Sequence, residues 1–171
     1  MKSFLLLCVS VVFHFSVMAQ KNIPLTDKIS VEGKVKNPLT ISLKELDIYK
    51  QYTLDSILIT NHLKQPRSVL KNLKLVLLKD VLSGLIIDSP GPKELSAYYF
   101  IMEASDGYKV VFSWNELFNN VTGDSVYLII AYNGVKGLDM PNRVALIAAS
   151  DSATGRRYIK GLSKIIVSKI Q

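Results

Sequence analysis

The side chains of this sequence that could do chemistry fall into two groups. His62 closes an apolar stretch, beside Asn61 and ahead of Arg67, while Arg143, Arg156, Arg157 and Lys160 gather toward the C-terminus. An imidazole can move a proton or ligate a metal near neutral pH. A metal centre wants about three further ligands, and the sequence holds no histidine cluster. The plainer reading makes His62 a partly buried polar residue at a strand end. The late cations suit a phosphate or carboxylate, because a guanidinium offers paired N–H donors to two oxygens. They also read as exposed charges flanking strands, with Arg143 paired to Asp139 or Asp151. In Ser105-Asp106-Gly107-Tyr108 the aspartate can accept backbone N–H groups while the glycine takes a positive φ, as in a hairpin turn. Ser113, His62 and Asp106 make a hydrolytic triad only on paper, since the sequence contains no Gly-x-Ser-x-Gly elbow. Hydrolysis is not predicted.

Thiol chemistry is confined to one place. Cys8 is the sole cysteine of 171 residues, and it lies in an opening that reads as a removable secretion signal over 1–20. Lys2 is followed by an apolar run from Phe4, then by Val17-Met18-Ala19 ahead of Gln20. That run is short for a hydrocarbon core of about 30 Å. Cleavage would take Cys8 with it and leave a chain with no disulfide, zinc-thiolate or cysteine nucleophile. Residues 21–171 are expected to form one domain, exported to the periplasm or secreted from a bacterial cell. About 150 residues suffice for one core. Charged or polar residues break every later apolar run, as Lys79 and Asp80 do after Leu75-Val-Leu-Leu78, so no stable membrane insertion is expected.

A formal net charge of +7 invites an anionic partner, although dispersed lysines also serve solubility. Nucleic acid is not predicted for an exported protein. Gly33, Gly84, Gly134 and Gly155 are isolated turn glycines rather than a phosphate-cradling loop, so nucleotide binding is not indicated. Asn120-Val121-Thr122 would be a glycosylation acceptor only in a eukaryotic secreted protein.

The elements that must position these groups are mostly strands. Ile29, Val31 and Val35 alternate around a turn at Glu32-Gly33, and Ser42 with Glu45 forms a capping pattern for a short helix ending near Tyr49. Residues 55–62 read as a strand with Ile57 and Ile59 on one face and Leu58 and Thr60 on the other, ended by Pro66. The spacing over 75–82 predicts a helix capped by Gly84. Strands are predicted at 97–101 and 108–112, joined by an Asp-Gly hairpin, then a helix begun by a Ser113/Glu116 capping box. Trp114 should pack from that helix onto the sheet. Further strands are predicted at 126–132, 144–148 and 164–169, with Tyr98, Tyr99, Tyr108, Tyr127 and Tyr132 on sheet faces.

In this order the pieces resemble the molybdopterin-binding domain of sulfite oxidase-like oxidoreductases. The resemblance rests on Val31-Glu-Gly-Lys-Val-Lys-Asn-Pro-Leu39 with Ser42-Leu-Lys-Glu-Leu46, on Leu77-Leu-Lys-Asp-Val-Leu82, and on Ala104-Ser-Asp-Gly-Tyr-Lys-Val-Val-Phe-Ser113 with Glu116-Leu117. Asn133-Gly134, Arg143, Leu146-Ile147, Asp151, Gly155-Arg-Arg-Tyr-Ile-Lys160 and Ile165-Ile-Val167 complete it. It implies an α+β fold of layered, mixed β-sheets with a few short helices.

The resemblance also implies where a cofactor would lie. The enzymes' molybdenum-ligating cysteine would fall within residues 57–63, where Asn61 and His62 stand and no thiol does. Oxygen and nitrogen donors would not reproduce a soft thiolate. The loop of Asp106 and Tyr108 would face the cofactor side, and Arg143, Arg156, Arg157 and Lys160 match the basic positions that hold the pterin phosphate. The expectation is therefore a non-catalytic relative with no resident cofactor or metal, binding an anionic small molecule or a protein partner. The alternative is an oxidoreductase or subunit that holds molybdopterin in a non-cysteine metal environment.

Overall fold

The computed structural model describes residues 24–171. The predicted secretion signal lies outside the described residues. In chain order the strands are β1 (Lys28–Gly33), β2 (Leu39–Ser42), β3 (Gln51–Thr60), β4 (Pro66–Leu77), β5 (Tyr98–Ala104), β6 (Lys109–Ser113), β7 (Val126–Tyr132), β8 (Val135–Lys136), β9 (Ala145–Ala148), β10 (Tyr158–Lys160) and β11 (Leu162–Lys169). Two short α-helices, α1 (Leu78–Val81) and α2 (Trp114–Phe118), and several 3-10 turns connect them. No helix among the described residues is long and apolar enough to cross a membrane.

The strands form two sheets, so the architecture is α+β with strand dominant. One sheet runs β2-β1-β11-β5-β6 and is mixed, because β1 and β11 pair in parallel. The other runs β10-β9-β7-β4-β3, with β8 added to β7, and all its pairings are antiparallel. In β5 Tyr98, Phe100, Met102 and Ala104 are buried and the residues between them are not. Such alternation marks a strand with one face on the core and one toward solvent. β9 is buried at every position, as a strand covered on both faces must be. One apolar cluster joins the two sheets, with Phe100 and Phe112 among its largest members.

Local signals set several boundaries. Ser113 Oγ accepts the Glu116 N–H at 3.1 Å while Glu116 Oε2 accepts the Ser113 N–H at 2.8 Å, and this capping box opens α2. Trp114 on α2 stacks on Phe118 at 5.6 Å and packs on the core. Ser42 and Glu45 make the same reciprocal pair, but the turn they start, Glu45–Ile48, is 3-10 rather than α.

The region 51–84 differs from the sequence reading. Leu75, Val76 and Leu77 end β4 instead of opening a helix, and α1 begins only at Leu78. All three are buried, and β4 lies between β3 and β7 in its sheet. A continuous apolar run satisfies both the helical and the strand period, so spacing alone could not separate them. Gly84 is outside the left-handed region and does not cap the helix that way. Pro66 opens β4 rather than merely ending β3. Thr60 is buried like Ile57 and Ile59, and the pairing register shifts between Ile59 and Thr60.

Candidate functional site

The β5–β6 hairpin delivers the turn that carries Asp106 and Tyr108. Asp106 Oδ1 accepts the Tyr108 N–H at 3.0 Å, Gly107 has φ of +86°, and the Ala104 N–H reaches the Tyr108 carbonyl at 2.8 Å. This turn docks on the segment around β10. The Tyr108 hydroxyl donates to the Arg156 carbonyl at 2.7 Å, and the Ser105 N–H to the Gly161 carbonyl at 2.8 Å. Between them lies a hollow of about 120 Å³ lined by Ala104, Asp106, Tyr108, Tyr158 and Lys160.

Strand alternation explains why Lys160 reaches that hollow. Ile159 is buried on the core side, so its neighbours Tyr158 and Lys160 turn outward. The Lys160 ammonium sits 5.6 Å from the Tyr158 ring centroid, within cation–π range. Burial pushes the Tyr158 hydroxyl well above the usual tyrosine range, with Tyr132 adding to the effect and the Asn142 amide opposing it. Tyr158 thus stays neutral.

The two arginines of the 3-10 turn Thr154–Arg157 part company. Arg157 turns inward and grips Asp151 with both ends of its fork, Nε to Oδ2 at 2.8 Å and Nη2 to Oδ1 at 2.6 Å. Its Nη1 donates to Glu116 Oε1 at 2.9 Å, and its guanidinium lies 4.3 Å from the Phe112 ring centroid. Asp151, and then Glu116, push Arg157 further up from its ordinary value. Burial alone would raise Glu116, but the Ser113 N–H, the Arg157 guanidinium and the Ser113 hydroxyl outweigh it and hold the carboxyl below its usual range. Arg157 is therefore an internal clamp between α2 and the turn. Arg156 is exposed, and among the described residues it has no ion-pair partner.

Arg143 pairs with Asp27 at 3.1 Å, not with Asp139 or Asp151. Its φ of +47° places it in the left-handed region, which costs a non-glycine residue about 1 kcal/mol or more. The surroundings hold it there. The Asn142 carbonyl accepts the Gly161 N–H at 3.0 Å and the Val144 carbonyl accepts the Leu162 N–H at 2.8 Å. Arg143 thus stands between two anchors on the chain that follows Lys160.

Asn61 and His62 stay with their own turn between β3 and β4. Asn61 Oδ1 accepts the Leu63 and Gln65 N–H groups at 2.9 and 3.0 Å, and its Nδ2 donates to Gln65 Oε1 at 3.0 Å. His62 is exposed rather than partly buried, because a tight turn projects its second residue into solvent. Sequence reasoning missed Thr154, whose hydroxyl joins the Thr154–Arg157 turn to the end of β3. The only signal in the sequence was a threonine directly before an isolated glycine. The structure thus gathers Asp106, Tyr108 and Lys160 around one hollow, brings the Arg156 backbone carbonyl to Tyr108, docks the Arg143 segment on the chain after Lys160, and uses Asn61 and Arg157 internally.

A molybdenum–pterin group does not fit these residues. No cysteine lies within 24–171, and no group of three His, Cys, Asp or Glu able to hold a metal exists among the described residues. At the end of β3 a Cβ on Gly155 would stand 2.2 Å from the Thr60 carbonyl oxygen, so the backbones already touch there. The hollow itself is well below the roughly 300 Å³ at which small-molecule pockets begin.

Among solved structures the chain is similar to the sulfane dehydrogenase SoxCD from Paracoccus pantotrophus, with a TM-score of 0.61 and 14% sequence identity. The match covers 85% of this chain and 40% of that one, so the chain spans less than half the length of the structure it resembles. At this identity the likeness is one of fold. No protein-family model matches the sequence, and no curated protein matches it.

Proposed function

We propose that this protein is an exported, periplasmic or secreted bacterial relative of the molybdopterin-binding oxidoreductase domain that does no redox catalysis. It binds an anionic group, carried by a small molecule or a protein partner, beside the Asp106–Tyr108 turn. The observation that carries this reading is the docking of that turn on the β10 segment, where Lys160 lines one small hollow and the exposed Arg156 meets the Tyr108 hydroxyl through its backbone carbonyl. The shared fold with a dehydrogenase supports the kinship, and the thiol-free donor set supports the loss of its chemistry. Arg143, held in a strained conformation next to Gly161, supplies a third cation once Asp27 releases it. Arg157 contributes by fixing the turn that carries Arg156.

Two measurements test the reading. Protein purified from its own organism is expected to carry no molybdenum, and stoichiometric metal with a pterin mass would sink the non-catalytic reading in favour of an oxidoreductase or subunit. Binding of phenyl phosphate should weaken in Arg156→Ala and Lys160→Ala and fall steeply with added salt. Equal binding in wild type and both variants at low salt would remove the site.

A further inference from the structure

We propose a second anion-binding site, for a small organic acid with a ring-sized apolar body, in the cleft where β4, β7 and β8 meet. The cleft has a volume of about 520 Å³, inside the roughly 300–1,000 Å³ typical of small-molecule sites. It lies at the Gln51 end of β3, whereas the hollow lined by Lys160 is reached past the Thr60 end. At about 3.3 Å per residue, those ends of β3 are roughly 30 Å apart.

Register builds the floor. Lys74 on β4 pairs with Ala131 on β7, and Ala131 pairs with Lys136 on β8. Directly paired residues share a sheet face, and neighbouring strands are about 4.8 Å apart. Two ammonium-bearing chains therefore rise roughly 10 Å apart with only a methyl group between them. A larger residue at position 131 would fill the gap that alanine leaves.

Two 3-10 turns form the walls. The turn Glu45–Ile48 and the residue before it bring Asp47 and Lys44, and Gly137–Asp139 brings Leu138 and Asp139. Leu138 is a partly exposed apolar side chain, and the buried Leu43 and Ile130 line the base. A cleft with apolar contacts and a few converging charges is the usual form of a small-ligand site.

Charge sets the sign of the ligand. Lys79, Lys109, Lys164 and Lys169 each pair with a carboxylate. Lys44, Lys74 and Lys136 line the cleft with no ion-pair partner among the described residues, and the two aspartates do not neutralise them. Three cations against two carboxylates favour an anionic head between Lys74 and Lys136, with the apolar body over Ala131 toward Leu43 and Leu138.

The test is a fluorescence titration of the protein with anilinonaphthalene sulfonate, followed by displacement with benzoate, phenyl phosphate and neutral benzyl alcohol. Both anions are expected to displace the probe, their relative potencies ranking carboxylate against phosphate, and benzyl alcohol is not. Lys74→Gln with Lys136→Gln should weaken probe binding about tenfold or more. Ala131→Leu, which keeps every charge, should weaken it as well. A control pair, Lys28→Gln with Lys93→Gln, changes net charge equally and should bind as wild type does. Thermal melting of each variant verifies folding. Undiminished binding in the Lys74/Lys136 pair or in folded Ala131→Leu would overturn the proposal. Equal loss in the control pair, or displacement by benzyl alcohol as readily as by benzoate, would do the same.

Discussion

The Thr154 hydroxyl spans two backbone groups of β3, accepting the Thr60 N–H at 3.0 Å and donating to the Leu58 carbonyl at 2.7 Å. One side chain thus completes the hydrogen bonding of an edge strand and seats the turn that carries Arg156 and Arg157. The hydroxyl of Thr60 itself is buried and has no hydrogen-bond partner among the described residues.

These neighbouring threonines should answer the same substitution in opposite ways. Thr154→Val keeps the shape but strands a buried N–H and a carbonyl, at a cost of about 2 kcal/mol. Thr60→Val removes an unsatisfied hydroxyl and should be neutral or stabilising by up to about 1 kcal/mol. Urea denaturation midpoints read both, and the reverse order would show that the hydrogen bonds are misassigned.

A second contrast uses two glycines. A Cβ on Gly155 meets the Thr60 carbonyl oxygen at 2.2 Å, whereas one on Gly84 meets nothing within 4 Å, and Gly84 is not left-handed. Gly155→Ala should cost about 2 kcal/mol through forced backbone movement. Gly84→Ala should stabilise by about 0.5 kcal/mol by restricting the unfolded chain. A destabilised Gly84→Ala would restore the left-handed cap that the structure replaces.

Arg157 should matter for stability more than for ligand binding. Arg157→Ala leaves the Asp151 carboxylate, whose side chain is 16% exposed, without its fork, and is expected to cost about 2–3 kcal/mol. For a domain of this size that corresponds to roughly 6–9 °C in Tm. Arg157→Lys should recover only part of it, because an ammonium cannot match the two-pronged geometry. Full recovery by lysine would reduce the clamp to a point charge.

Acid should release the same clamp. Glu116 has a folded-state pKa below its ordinary value of 4.5, so the unfolded chain takes up the proton first. Its contribution is fully present above about pH 4.5 and fades as pH falls through the lowered folded value. Glu116→Gln should therefore destabilise at pH 7, by about 1 kcal/mol after allowance for its partial exposure, and much less near pH 3. A difference between wild type and variant that stays constant across that range would remove the ionic part of the interaction.

Much of the local structure was legible. Ser113 and Glu116 are three residues apart, and their capping box needs nothing from the rest of the chain. The Asp106-Gly107 hairpin and the alternation in β5 likewise depend on neighbours in sequence or on a period of two. The helix expected at 75–82 failed over Leu75, Val76 and Leu77 because that stretch pairs with the strand from 126–132, and at Leu75 and Val76 also with the strand from 51–60. His62 failed for a related reason, since the turn that exposes it is set by the β3–β4 register.

By itself the sequence determined the cysteine-free composition of residues 24–171, the strand-rich α+β character and the short-range turns and caps, because those follow from composition and from bonds spanning a few residues. Only the tertiary structure decided which cations remain available. The contact of Tyr108 with Arg156 spans 48 residues and that of Thr60 with Thr154 spans 94. Contacts at such separations depend on sheet order and register. For the same reason Arg156 and Arg157, adjacent in sequence, end with one guanidinium in solvent and the other locked between Asp151 and Glu116.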